Sequence, residues 1–176
     1  MSALSVLYIV LPILAVSFCH ALEVVFTARR WASHHSASSD EAHQSLVNIL
    51  FRLSGMNMSA LVIAAVVGFL AVLLSTAALF AGGLWAELVW TTVFMAYSVC
   101  ALISIVRAVT LKGYVPGLVT SIISVPLIAY AAYSLSLVWP WWGMLLFAIL
   151  GLFLAVAGHF IAQRIGRYST TISASL

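Results

Sequence analysis

An all-α integral membrane bundle of five transmembrane helices is the fold that this sequence predicts, and three observations predict it. Of its 176 residues, 65% are hydrophobic and only 6% charged, whereas soluble domains carry about a quarter charged residues. The mean hydropathy is +1.20. The apolar residues fall into five runs, each long enough for the roughly 20 helical residues that a bilayer crossing requires. All seven Lys and Arg residues lie in or beside alternate connections, which is where orientation signals belong.

The first run covers 4–27. It has no basic stretch before it and no small-residue cleavage pattern after it, so it reads as a retained span rather than a removed leader. Pro12 inside it removes a backbone hydrogen bond and predicts a kink that widens an internal cavity. The connection that follows is the longest. In it Ser38-Ser39-Asp40-Glu41 has the form of a capping box, Gly55 supplies a stop, and Leu46, Ile49, Leu50 and Leu53 recur at helical spacing. This pattern predicts an amphipathic helix lying on the membrane surface.

Spans two to five are read at 59–80, 84–108, 115–138 and 141–162. Span two keeps its interior polar residues, Ser75 and Thr76, toward one end, and is expected to face lipid most. Glu87 sits in the first turn of span three, where a carboxylate meets the helix dipole favourably. Pro126 repeats the predicted kink in span four. The runs lack the alternation of a barrel, and an open sheet would leave backbone groups unsatisfied in hydrocarbon. Cys19 and Cys100 each lie inside an apolar run and do not suggest a disulfide framework. There is one domain, with no internal repeat.

Arg29, Arg30 and Arg52 follow span one, Arg107 and Lys112 separate spans three and four, and Arg164 and Arg167 follow span five. The positive-inside rule therefore places the N-terminus outside and the C-terminus in the cytoplasm. Trp85, Trp90, Trp139, Trp141 and Trp142 would form an aromatic belt at the opposite face. So few charges, placed this way, exclude a nucleic-acid surface. The expected partners are membrane lipid and a lipid-like small molecule, with a second copy of the chain left open.

The chemistry-bearing residues gather in the same half of four spans. Span one offers Ser17, His20, Glu23 and Thr27 on one helical face, and span three Tyr97, Cys100, Ser104 and Arg107. Span four adds Gly117, Thr120 and Ser124, and span five His159, Gln163 and Arg167. Ionisable groups at this depth need partners and mark functional sites. His20 is read as a general base or metal ligand, Glu23 as its orienting or ligating carboxylate, and His159 as a second base or ligand. Arg107 would anchor an anionic head group, with Tyr97, Ser104, Thr120 and Gln163 lining the substrate pocket. His20, Glu23 and His159 could also hold a divalent metal, Zn²⁺ or Fe²⁺. His34, His35 and His43 read as solvated loop residues.

Through His20-Ala-Leu-Glu23 in span one and Tyr114-Val-Pro-Gly-Leu-Val-Thr120 at the start of span four, the chain resembles the HXXEE family of small bacterial membrane proteins. The resemblance implies a compact helical bundle in a bacterial inner membrane, with His, Glu and Arg residues suspected of catalysis. The second glutamate of the family motif is Val24 here, and span three contains neither Asn nor His. His159 and Arg164 are similar to the family's His-x-x-x-Arg, with one residue more between them.

These readings lead to a membrane-embedded enzyme with a His/Glu pocket facing the cytoplasm, acting on a lipid-like or isoprenoid-like substrate. Two alternatives stand beside it: a non-catalytic accessory or ligand-binding membrane protein, and a small proton-coupled transporter in which His20 and Glu23 relay protons.

Overall fold

The computed structural model of the protein describes residues 3–36 and 58–173. The surface helix expected after span one, and His43 with it, lie outside the described residues. Five helices carry the fold: α1 Ala3–Ser36, α2 Met58–Ala81, α3 Leu84–Thr110, α4 Leu118–Ser136 and α5 Trp141–Ser173. Each contains a segment long and apolar enough to cross a membrane, and no strand occurs among the described residues. The protein is thus a multi-pass helical membrane protein. α1 continues to Ser36, so His34 and His35 lie on the end of a helix rather than in a loop.

Short reversals separate α2, α3, α4 and α5. Gly82 and Gly83, at φ 82° and 101°, turn the chain in a left-handed conformation that side chains resist. α1, α2, α3 and α4 pack in a ring in which each touches its chain neighbours and α4 closes on α1. α5 seats outside this ring against α2 and α3. The α3–α5 crossing is tight because Gly151 carries no side chain: a Cβ there would stand 2.7 Å from the Ala96 nitrogen.

The expectation that span two faces lipid most is overturned. α2 packs against α1, α3 and α5, whereas 11% of the α5 span is buried against 22% of that of α2. Ala60 at the start of α2 is buried, and small residues of this kind let neighbouring helices approach. A run of aliphatic and small residues looks lipid-facing in sequence, yet smallness is what places α2 between its neighbours.

At the end of the bundle where α2 finishes and α3 begins, the core is apolar. Ile9, Val10, Ile13, Val72, Phe94, Ala131 and Leu135 are buried together. Trp90 belongs to this core rather than to a surface belt: it is 4% exposed, stacks on Phe94 with centroids 5.5 Å apart, and donates its indole N–H to Thr76 Oγ1 at 3.2 Å. Trp85, Trp141 and Trp142 are exposed. Both Pro12 and Pro126 lie inside continuous helices, and neither borders the internal cavity described below.

Candidate functional site

The opposite end is organised by a cap that one helix supplies to another. α4 begins after Gly117, which sits at φ 88° and has no side chain to cap the helix. A Cβ at this position would lie 2.5 Å from His20 Cε1, so the imidazole takes the space that a capping side chain would need. The first amide groups of a helix lack intrahelical partners. Glu23 of α1 provides them: Oε1 accepts from the Val119 N–H at 3.2 Å and Oε2 from the Thr120 N–H at 2.8 Å. The carboxylate also sits where the helix dipole favours negative charge.

Two hydroxyl groups complete the Glu23 shell. Tyr114 donates to Oε1 at 2.7 Å and Thr120 Oγ1 to Oε2 at 2.7 Å. Tyr114 precedes α4 in a connection that Trp31 pins from α1, through an indole bond to the Tyr114 carbonyl and burial with Ala108, Leu111 and Val115. Burial pushes the Tyr114 hydroxyl above the usual phenol range, a Thr27 contact opposes this, and the Glu23 carboxylate raises it further.

Thr120 joins Glu23 to His20, because its Oγ1 also lies 3.0 Å from His20 Nδ1. A hydroxyl has one proton to give. Its shortest and charge-assisted acceptor is Glu23 Oε2, so Nδ1 is the donor to Thr120. The proton is thereby assigned to Nδ1, and Nε2 is left as the acceptor nitrogen. The order His20, Thr120, Glu23 is that of a base oriented by a hydroxyl that a carboxylate orients in turn.

His20 also borders a cavity of about 350 Å³ framed by α1, α2, α3 and α5. Its polar border comprises Ser17, His20, Tyr97, Cys100, Ser104, Arg107 and His159. His20, His159, Arg107, Tyr97 and Ser104, which the sequence nominates, therefore surround one space. Glu23, Thr120 and Gln163 do not border it: the first two face the start of α4, and Gln163 is buried on α5. Tyr97 meets His20 edge-on at 6.2 Å, and its buried hydroxyl makes no hydrogen bond among the described residues. Ser104 Oγ turns back to the Cys100 carbonyl at 3.2 Å.

The metal set read from sequence is not brought together. Glu23 is committed to α4 while His20 and His159 face the cavity, and among the described residues no three His, Cys, Asp or Glu side chains group as ligands. The sequence reading also missed why Tyr114 and Gly117 matter. The available signal was a glycine directly before an apolar helical run with no capping side chain of its own.

A family model described as a protein of unknown function with an HXXEE motif matches residues 11–131. The matched stretch holds both His20–Glu23 and Tyr114–Thr120, the two segments that meet at the cap. No curated protein and no solved structure matches the chain.

Proposed function

The chain belongs to the HXXEE family, whose description names no activity, and from the site itself we propose that it is a membrane-embedded acid–base enzyme acting on a lipid-like or isoprenoid-like substrate. The observation that carries this reading is the assigned tautomer of His20: Nδ1 is held by Thr120 and Glu23, and the ring borders a cavity lined mostly by apolar residues. In the proposed reaction Nε2 accepts a proton from the bound substrate. Thr120 and Glu23 hold the ring and favour the imidazolium as it forms. His159 borders the same space and is the second proton-carrying group.

In this reading the basic residues mark the cytoplasmic side of a bacterial inner membrane, with the N-terminus outside and the C-terminus inside. The lipid-like substrate is favoured because a cavity within the spans is reached most directly from the bilayer. A transporter is disfavoured because, among the described residues, the other end packs Ile13, Phe94 and Leu135 together and buries no Asp, Glu, His, Lys or Arg side chain. A non-catalytic binding protein is the second reading. It is favoured by the use of Glu23 as a helix cap and by Val24, buried and apolar, where the motif has its second glutamate.

The test is a comparison of lipid mass profiles. Purified protein in nanodiscs made from extracted bacterial lipid is incubated and compared with His20→Asn and Thr120→Val. Time-dependent turnover of one lipid class, abolished by His20→Asn and slowed by Thr120→Val, supports the enzyme. An unchanged profile for the wild-type protein, with lipid retained in the cavity, supports the binding protein.

A further inference from the structure

The cavity has a wall made of small residues. On α2 it is bordered by Ala64, Ala65, Gly68 and Ala71, and on α5 by Ala155 and Gly158. A Cβ built at Gly68 or at Gly158 meets nothing within 4 Å. These glycines are therefore not required by close backbone packing, unlike Gly151, and neither has the positive φ that would demand glycine. The same border includes Val67, Leu152, Leu154 and Val156, which are 43% to 48% exposed on the outside of the bundle. The space thus reaches the outer surface between α2 and α5, within the apolar spans.

Among the described residues, the ionisable side chains on its border are His20, Tyr97, Cys100, Arg107 and His159, with no Asp or Glu. Glu23, the acid nearest in sequence to His20, is turned to the amides of α4. Arg107 lies ten residues beyond Tyr97 on α3, which is about 15 Å along the helix toward the basic end. A ligand spanning that length would meet small and aliphatic residues deep in the spans and a cation near the rim. The volume of about 350 Å³ falls at the low end of the roughly 300 to 1,000 Å³ of small-molecule sites, which suits one hydrocarbon chain rather than two.

We infer that the cavity takes a single-chain anionic amphiphile from the bilayer through the gap between α2 and α5, with Gly68 and Gly158 keeping that gap open and Arg107 and His159 selecting the anionic head. The inference rests on the lipid-like substrate proposed above and adds its charge, its chain number and its route of entry. A carboxylate and a phosphate head would be recognised by the same charge, and the probes separate them.

Native mass spectrometry of the full chain released from detergent micelles reads the occupancy of palmitate, hexadecyl phosphate and hexadecanol, which share one chain length. The expected result is one anionic chain per protein, with hexadecanol held about tenfold more weakly. The stronger of the two anions identifies the head. Gly68→Leu and Gly158→Leu should each lower occupancy of the anionic probe by about tenfold or more. Both sites have open space and lie in helices, where leucine is the better helix former, so a folded protein is expected. His159→Gln should reduce the preference for the anion over hexadecanol, and Arg107→Gln should do the same.

Equal occupancy by hexadecanol and the anions overturns the head-group selection, and unchanged occupancy in both leucine variants overturns the route. Failure of the enzyme reading looks different: the wild-type protein would retain the anionic chain and leave it chemically unchanged.

Discussion

The two ends of this bundle are built from the same helices and held by different forces. At the end of Trp90 and Phe94, apolar side chains fill the space between α1, α2, α3 and α4. In a bilayer this packing gains dispersion and shape fit rather than removal from water. At the end of His20 and Glu23, α1 and α4 are joined by directed hydrogen bonds to one carboxylate. The difference teaches where change can be tolerated. The apolar end is sensitive to volume, and the polar end to single atoms.

The largest loss of stability is expected at the apolar end. Phe94 is 2% exposed, and Phe94→Ala should cost about 3 kcal/mol through the hole it leaves. Thermal denaturation in micelles measures this. In the proposed reaction, lipid turnover per folded molecule should be unchanged, because Phe94 does not border the cavity; a loss of that turnover would mean that the two ends are mechanically coupled.

Glu23→Ala reverses that pairing of effects. It strips two helix amides of their acceptor, at about 1 kcal/mol or more each, and frees the Thr120 hydroxyl that sets the His20 tautomer. Stability should fall by about 2 kcal/mol, and turnover should disappear from protein that remains folded. Glu23→Gln keeps one oxygen but turns an NH₂ group toward donors, so it should restore less than half of the lost stability. Full restoration would show that the carboxylate charge is not needed at the cap.

Much of this contrast could be read from the residues alone. Five spans follow from hydropathy, and the grouping of His20, Arg107 and His159 follows from the cost of ionisable groups in lipid. What could not be read is the destination of Glu23, since its partners include two backbone amides, and any residue supplies an amide. The position of α2 was equally hidden: its alanines count as apolar in a hydropathy sum, while their effect on packing depends on size. Trp90 illustrates the same limit, because an indole near a span end suits the interface and the core alike until Thr76 is seen to receive its N–H.

Gly117→Ala sharpens the comparison at the polar end. The left-handed backbone costs a side-chain-bearing residue about 1–2 kcal/mol, and the added Cβ falls on His20. Gly82→Ala is the control, with φ 82° but open space around it. Gly117→Ala should lose more stability than Gly82→Ala, because the backbone cost is shared and the clash with His20 is not, and only Gly117→Ala should lose turnover, since only there is the imidazole displaced. Equal turnover in the two would separate the ring position from the activity.

The smallest effect is expected from Tyr114→Phe, which removes one hydroxyl from a carboxylate that keeps three other donors. The cost should be about 1 kcal/mol. Its pH dependence carries more information than its size. Burial and Glu23 raise the Tyr114 pKa despite the Thr27 contact, so the folded protein holds this proton more tightly than the unfolded chain. The contribution is then fully present below the unfolded phenol value and is lost as pH rises through the folded one. Wild-type and Tyr114→Phe proteins should differ in stability by a constant amount through neutral pH and converge only in strong alkali. An ultraviolet difference titration between the two should place this tyrosine above the ordinary phenol range. A titration at or below that range would mean that Glu23 is not the acceptor for its hydroxyl, and the connection before α4 would then be held by Trp31, the Thr27 contact and the apolar packing around them.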